Sequence, residues 1–241
     1  MDKKSVLISG GTNGIGKGAV LQLLEDGFNV ATFSRNKDKI DSLQKELGEQ
    51  YSQKQFLVLQ ADVNNEKELS VAVKKTIETF GAVDILINNA GIGYFADCDD
   101  VDMSRFQQML QTNIVGLALL TKLVVPQMKQ QKEGLIINLA SISGKIAFAN
   151  GEFYSATKFG VMGYSQGIRS ELKDFGIKVA TLCPGMIKTD FFDEEELERR
   201  KKVWHGKIPQ MLDVKDINRI ISLICNQSKH CDIQDLTVMP F

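Results

Sequence analysis

Short apolar runs recur along this chain at Ser5–Ser9, Asn29–Phe33, Gln55–Gln60, Val83–Ile87, Leu135–Leu139, Lys178–Cys183 and, more weakly, Leu236–Met239, with amphipathic stretches of helical period between them. Several of the runs are rich in Val, Ile and Leu without polar alternation, as strands covered on both faces must be. Strands of that kind, joined by helices long enough to cross over, build parallel βαβ units. The expected fold class is therefore α/β: a doubly wound sheet of about seven parallel strands with helices on both faces. At 241 residues and 43% hydrophobic composition, one domain over residues 1–241 can bury such a core. No repeat, low-complexity tract or linker divides it.

Composition also excludes partners. A formal net charge of −1 makes no field that would draw nucleic acid or an anionic membrane, and neither is expected. The polar start Met1-Asp-Lys-Lys-Ser5 runs directly into the first strand without a signal-peptide pattern. No unbroken apolar run approaches the ~18 residues of a membrane span, so the chain reads as cytoplasmic. Cys98, Cys183, Cys225 and Cys231 lack zinc-ligand spacing. Cys225 with His230-Cys231 reads as a solvated turn, and no metal is expected.

In an open α/β sheet, ligands gather at the carboxyl ends of the strands, and polar or glycine-rich residues follow strand after strand here. After the first comes Ser9-Gly10-Gly-Thr12-Asn13-Gly14-Ile15-Gly16. Glycines there let the backbone approach a pyrophosphate at the N-terminus of the next helix; the alternative is a glycine-rich connection needed only for tight packing. Dinucleotide folds usually place an acidic residue about 20 positions further on, where this chain has Ser34-Arg35. A guanidinium there pairs with a ribose 2′-phosphate and favours NADPH over NADH; otherwise Arg35, with Lys37 and Lys39, belongs to a solvated turn. Asp62, before Val63, either accepts from an adenine amino group or caps the following helix. Asn88-Asn89-Ala90-Gly91 closes the fourth strand as a tight turn expected to touch the cofactor. Asn113, within a long helix between Asp102 and Gln130, is a structural bridge or a member of a polar network in the site. Pro184-Gly185 breaks the chain after the sixth strand.

The chemistry concentrates after the fifth strand. Ser141 follows it, and a helix beginning near Phe153 puts Tyr154 and Lys158 one turn apart on one face. A phenol with its ordinary pKa of about 10 is a poor base at neutral pH, but a neighbouring ammonium favours the phenolate and makes proton transfer workable. Ser141 stands where it can bond the same substrate oxygen. Alone, a Tyr–Lys pair at this spacing is commonplace on exposed helices; six such features, each following a different strand, are not.

In the motifs Ser9-Gly-xxx-Gly14-Ile-Gly16, Asn88-Asn-Ala-Gly91, Asn113, Ser141, Tyr154-xxx-Lys158 and Pro184-Gly185, the chain resembles the compact, Rossmann-like short-chain dehydrogenase/reductases over about residues 5–190, among them 3-oxoacyl-[acyl-carrier-protein] reductases. Ser9 stands where the family usually has Thr. The resemblance implies that Tyr154 exchanges the proton of a carbonyl/alcohol pair, that Ser141 polarises the oxygen, and that Lys158 holds the nicotinamide ribose. It further implies that Asn113 orders a water leading from Lys158, and that Ile187 and Thr189 fix the carboxamide. The activity so implied is NADPH-dependent reduction of a 3-oxoacyl thioester, a 3-oxo acid or a similar small ketone; the alternative is a non-catalytic NADPH sensor or scaffold. Gly93-Tyr94-Phe95 and Ile146-Ala-Phe148-Ala149 suggest a moderately apolar pocket. Residues 190–212 are expected to form a substrate lid, with Glu195–Arg199 and Glu196–Arg200 pairs and apolar contacts from Trp204, Ile208 and Met211. The run Arg199-Arg-Lys-Lys202 is a solvated helix face, or a contact for acyl carrier protein. The helices around 102–130 and 153–175 are the expected interface of a homodimer, with a tetramer open.

Overall fold

The computed structural model describes residues 3–192, 196–198 and 210–241. Its seven strands are β1 (Ser5–Ser9), β2 (Asn29–Ser34), β3 (Phe56–Gln60), β4 (Ile85–Asn88), β5 (Gly134–Leu139), β6 (Ile177–Pro184) and β7 (Asp235–Val238). They pair in the order β3-β2-β1-β4-β5-β6-β7, every neighbour parallel. This is the Rossmann-like doubly wound α/β architecture expected from the apolar runs, with strand limits within about two residues of the sequence reading.

Because successive strand residues face opposite sides, the sheet sorts its apolar side chains into two cores. Val6, Ile8, Ile85 and Ile137 face one side, against helices α1 (Gly14–Glu25), α2 (Lys37–Gln50) and α7 (Val214–Cys225). Leu7, Leu86, Ile136 and Val179 face the other, against α3 (Glu66–Phe80), α5 (Leu117–Gln131) and the end of α6 (Glu152–Leu172). Cys225 is buried in the first core and Cys231 is exposed; no cluster of His, Cys, Asp or Glu suited to a metal occurs among the described residues.

The long helix expected between Asp102 and Gln130 is three segments: α4 (Met103–Leu110), a π-helical turn at Gln111–Gly116, and α5. Together they are long and apolar enough to cross a membrane by length and composition, a feature that a search for unbroken apolar runs does not detect. Leu120, Val124 and Met128 are fully buried in the second core, so the apolarity serves packing.

A row of buried polar side chains ties α5 and α6 to the centre of the sheet. Asn88 Nδ2 donates to Thr121 Oγ1 (3.0 Å) and to Asn138 Oδ1 (2.8 Å). Asn138 Nδ2 donates to Ser165 Oγ (2.9 Å), which in turn donates to the carbonyl of Val161 (2.7 Å). The sequence expectation that Asn88 touches a ligand is thereby corrected: as the last residue of β4 it follows the pleat inward, and Asn89 follows it outward.

The chain runs from β1 outward to β3, returns to β4 beside β1, and continues to β7. The connections after β1 and β4 therefore diverge, leaving a crevice at the carboxyl edge where the winding reverses.

Candidate active site

A cleft of about 910 Å³ opens at that edge. The glycine turn forms its middle. Gly10 and Gly14 have φ of +70° and +51°, left-handed conformations that side chains resist. Asn13 is the N-cap of α1 but makes no side-chain cap hydrogen bond, whereas Asn36, Asn65 and Asp102 cap α2, α3 and α4 with their side chains. The first turn of α1 also lacks an acidic residue. Thr12, Asn13, Gly14 and Ile15 line the cleft with this amide-rich, positive helix end, a cradle suited to a pyrophosphate. Gly16 does not line it. A Cβ there would lie 2.3 Å from the Gly10 carbonyl oxygen and 2.5 Å from Asn89 Nδ2, so Gly16 serves close packing, the alternative left open by the sequence. Asn89 Nδ2 donates to the carbonyls of Ser9 (2.9 Å) and Gly10 (3.2 Å), and Ser9 Oγ accepts from the amides of Asn89 and Ala90. The glycine turn and the turn after β4 are thus bonded into one rim.

At one end of the cleft stand Ser34, Arg35, Asn36, Lys39, Asp62 and Val63. Arg35 Nη1 lies 3.9 Å from Asp62 Oδ2. Asp62 Oδ1 accepts from the amide of Asn64 (2.9 Å), while Asn65 caps α3; Asp62 is no helix cap, which leaves its carboxylate at the cleft wall. Lys39, assigned to a solvated loop from the sequence, shares the lining from the first turn of α2, where its amide donates to the N-cap Asn36. Ala90, Gly91, Pro184, Gly185, Ile187 and Thr189 line the same cleft from the turns after β4 and β6.

Ser141, Tyr154 and Lys158 line the other end. Ser141 Oγ donates to Ser143 Oγ and accepts from the Ser143 amide, both at 3.1 Å. α6 begins at Glu152, one residue before the expected start. Lys158 Nζ sits 5.7 Å from the centroid of the Tyr154 ring and donates to the carbonyl of Leu139 at 2.9 Å. Burial pushes the Lys158 ammonium down to about 8, with Cys183 acting weakly in the opposite sense. Asn113 is buried and does not line the cleft. Its Nδ2 donates to the carbonyl of Ile92 (2.9 Å) and to Thr157 Oγ1 (3.0 Å), and its Oδ1 accepts from the Ile92 amide (2.9 Å). It is therefore a bridge between the turn after β4 and α6, aimed by the π-helical turn that carries it; such turns recur at functional sites. A Cβ on Gly91 would lie 3.2 Å from Asn113 Oδ1 and 3.7 Å from Lys158 Nζ, so Asn113 and Lys158 flank the same glycine.

Beyond Tyr154 the walls are aromatic. Phe95 and Phe148 line the cleft as the apolar tripeptides suggested, but Tyr94 and Ile146 do not. Tyr94 Oη accepts from the Asp102 amide and its ring lies 4.0 Å under the Arg105 guanidinium; Ile146 faces solvent. Phe191 and Phe192 complete the wall, and no periodic signal in the sequence marked them. The ends of the expected lid are pinned together by Lys188 N to Leu212 O (3.0 Å) and Leu212 N to Met186 O (2.9 Å). The proposed Glu195–Arg199 and Glu196–Arg200 pairs, Trp204, Ile208 and the Arg199–Lys202 run lie outside the described residues, while Met211 within it is half-buried.

The family model described as short chain dehydrogenase matches residues 4–200. An uncharacterized oxidoreductase of Staphylococcus aureus (strain N315) is 32% identical over 237 residues, 98% of this chain and 97% of the relative. Among solved structures, ElxO with NADP bound has a TM-score of 0.86 at 29% identity, covering 98% of this chain and 97% of that one. A variant of actinorhodin polyketide ketoreductase with NADPH has a TM-score of 0.87 at 25% identity, covering 99% and 97%. The chain belongs to the short-chain dehydrogenase family of oxidoreductases, enzymes that interconvert CH–OH and C=O groups with a nicotinamide dinucleotide.

Proposed function

We propose that the protein is an NADPH-dependent ketone reductase in which Tyr154 is the proton donor, Ser141 the carbonyl-binding hydroxyl and Lys158 the ribose-binding ammonium. The observation that carries this reading is one continuous cleft. It joins Arg35 and Lys39 at one end, through the open helix end at Asn13–Ile15, to Ser141, Tyr154 and Lys158 at the other. Arg35 follows β2 and Ser141 follows β5, three strand spacings or about 14 Å apart across the sheet. A nicotinamide dinucleotide held there would supply the hydride that a carbonyl carbon takes up. The protein's own part is orientation and proton transfer. Tyr154 gives its hydroxyl proton to the carbonyl oxygen, Ser141 holds that oxygen, and Lys158 favours the phenolate left behind. Two cations, Arg35 and Lys39, suit the extra phosphate of NADPH, which NADH lacks. Substrates of the class nominated by the sequence, 3-oxoacyl thioesters, 3-oxo acids and similar small ketones, present the carbonyl this geometry requires.

The protein acts as a homodimer through α4, the π-helical turn, α5 and α6, where Met103, Val115 and Phe159 are exposed apolar side chains; members of this family are typically oligomers acting on small molecules.

Loss of NADPH absorbance, with NADH run in parallel, across a panel of 3-oxoacyl thioesters, 3-oxo acids, diketones and cyclic ketones tests the reading. Turnover is expected with NADPH. The Tyr154→Phe variant should lose at least ~100-fold in kcat while binding NADPH as before. Full activity in that variant would overturn the mechanism, and NADPH binding without turnover on any carbonyl would favour the sensor alternative.

A further inference from the structure

Ser141 caps a single turn of 3-10 helix, Ile142–Gly144, and its side chain accepts from the amide of Ser143 inside that turn. Both serines line the cleft, yet Ser143 keeps just 3% of its surface exposed. A hydroxyl so enclosed needs partners, and the Ser141 hydroxyl at 3.1 Å is one of them. Gly144 seats the turn on the helix that carries the proton donor. A Cβ there would fall 2.7 Å from the carbonyl oxygen of Lys158 and 3.0 Å from Met162 Cγ. The serine pair is therefore packed directly against α6.

A serine hydroxyl has one proton to donate and two lone pairs with which to accept. In the contact described above the Ser141 hydroxyl donates to Ser143 Oγ, which turns its proton toward a neighbour and away from any substrate oxygen. The opposite direction is open to the same two oxygens at the same separation, because a hydroxyl hydrogen rotates about its C–O bond without moving a heavy atom. Reversed, Ser143 fills both acceptor positions of Ser141 Oγ, one with its amide at 3.1 Å and one with its hydroxyl. The Ser141 proton is then left for an oxygen in the cleft. A ketone oxygen accepts and cannot donate, so its binding selects the reversed arrangement.

We infer that Ser143 is a positioning residue for the reaction: when a ketone binds, the Ser143 hydroxyl turns to donate to Ser141 Oγ, and Ser141 in turn donates to the carbonyl oxygen that Tyr154 protonates. The inference rests on the ketone-reductase reading above and deepens it. Ser143 acts through Ser141, and no bond to either serine forms or breaks. Two hydroxyls in series polarise one another, so the bond to the carbonyl oxygen strengthens as negative charge develops there during hydride transfer. Without the Ser143 hydroxyl, the amide bond to Ser141 survives, but one acceptor position of Ser141 is empty and its proton is no longer aimed.

A double-mutant cycle on Ser141 and Ser143 provides the test, with kcat measured at saturating NADPH on ethyl acetoacetate or, if that ester is silent, on the ketone of the panel above that wild type turns over fastest. Ser143→Ala should lower kcat by ~3–10-fold, the worth of one neutral hydrogen bond, with KM for NADPH unchanged. Ser141→Ala should lower kcat by ~100-fold or more. In the Ser141→Ala background, Ser143→Ala should cost less than ~2-fold, since no hydroxyl is left to aim. Equal losses in the two backgrounds would overturn the inference, because Ser143 would then act on the substrate or the fold by itself. An unchanged kcat in Ser143→Ala would overturn it as well. Ser143→Cys keeps a weaker donor in similar space and should retain more activity than Ser143→Ala; no advantage over Ala would remove the donor from the role. Wild type silent on every ketone of the panel would overturn the ketone-reductase reading and this inference together, whereas wild-type turnover with an additive cycle overturns the inference alone.

Discussion

Lys158 shows what one buried charge does to the molecule around it. In the folded protein it releases its proton at about 8, in the unfolded chain near the ordinary 10.5. Between those values the unfolded chain binds the extra proton, so the stability that Lys158 contributes rises with pH through that window, and the burial penalty is fully present below it. Wild type should therefore gain stability relative to a Lys158→Met variant as pH rises from about 8 to about 10, read by urea denaturation at fixed ionic strength. Parallel curves would show that Lys158 is not desolvated. At the opposite end of the cleft, Arg35→Asp removes a cation and sets a second carboxylate beside Asp62. The ratio of kcat/KM for NADPH over NADH should fall at least ~10-fold; an unchanged ratio would clear Arg35 of any part in cofactor choice. Residue types were the most legible layer of the sequence, and orientation the least. Nothing in Asn88-Asn89 says which amide turns inward. The pleat decides it, and only the register of β4 against β5, with Asn88 opposite Asn138, makes the decision visible.

Elements were legible where their periodicity is long and opaque where it breaks. The strands and α6 emerge from apolar runs and from the Tyr154–Lys158 spacing, but the π-helical turn at Gln111–Gly116 leaves no sequence signature distinct from helix. Its effect is to aim Asn113 at Ile92 and Thr157. Replacing Asn113 with Ala would strand a backbone amide, a carbonyl and a hydroxyl, costing about 2–3 kcal/mol, measurable as a lowered denaturation midpoint with unchanged slope; a cost near zero would mean that solvent replaces the bridge. The glycine turn makes the complementary case. Gly16 looked like a ligand contact because it belongs to a ligand-binding pattern, but its missing side chain makes room for Gly10 and Asn89. Gly16→Ala should destabilise by about 1–3 kcal/mol through overpacking, seen as a drop in Tm with or without cofactor. A drop that appears only when NADPH is present would return Gly16 to the binding surface.

The strand order of the whole molecule was legible only as a class, because neighbour choice depends on crossovers that no local window contains. The homodimer proposed above predicts that Val115→Glu combined with Phe159→Glu leaves a folded protein of 26.8 kDa by sedimentation where the wild type sediments at twice that mass; identical sedimentation of the two would move the interface elsewhere. The aromatic wall could not be found from periodicity, since Phe95, Phe148, Phe191 and Phe192 come from three separate connections and meet only when the sheet closes the distance between them. Behind that wall runs the row from Thr121 through Asn88 and Asn138 to Ser165. A purely greasy contact would let α6 slip along the sheet with little cost, but the directional bonds from Asn88 to Asn138 and from Asn138 to Ser165 favour one position. The front of the cleft and its foundation can consequently change independently in the laboratory: ring positions can be exchanged while the polar row holds α6, and with it Tyr154 and Lys158, against the sheet.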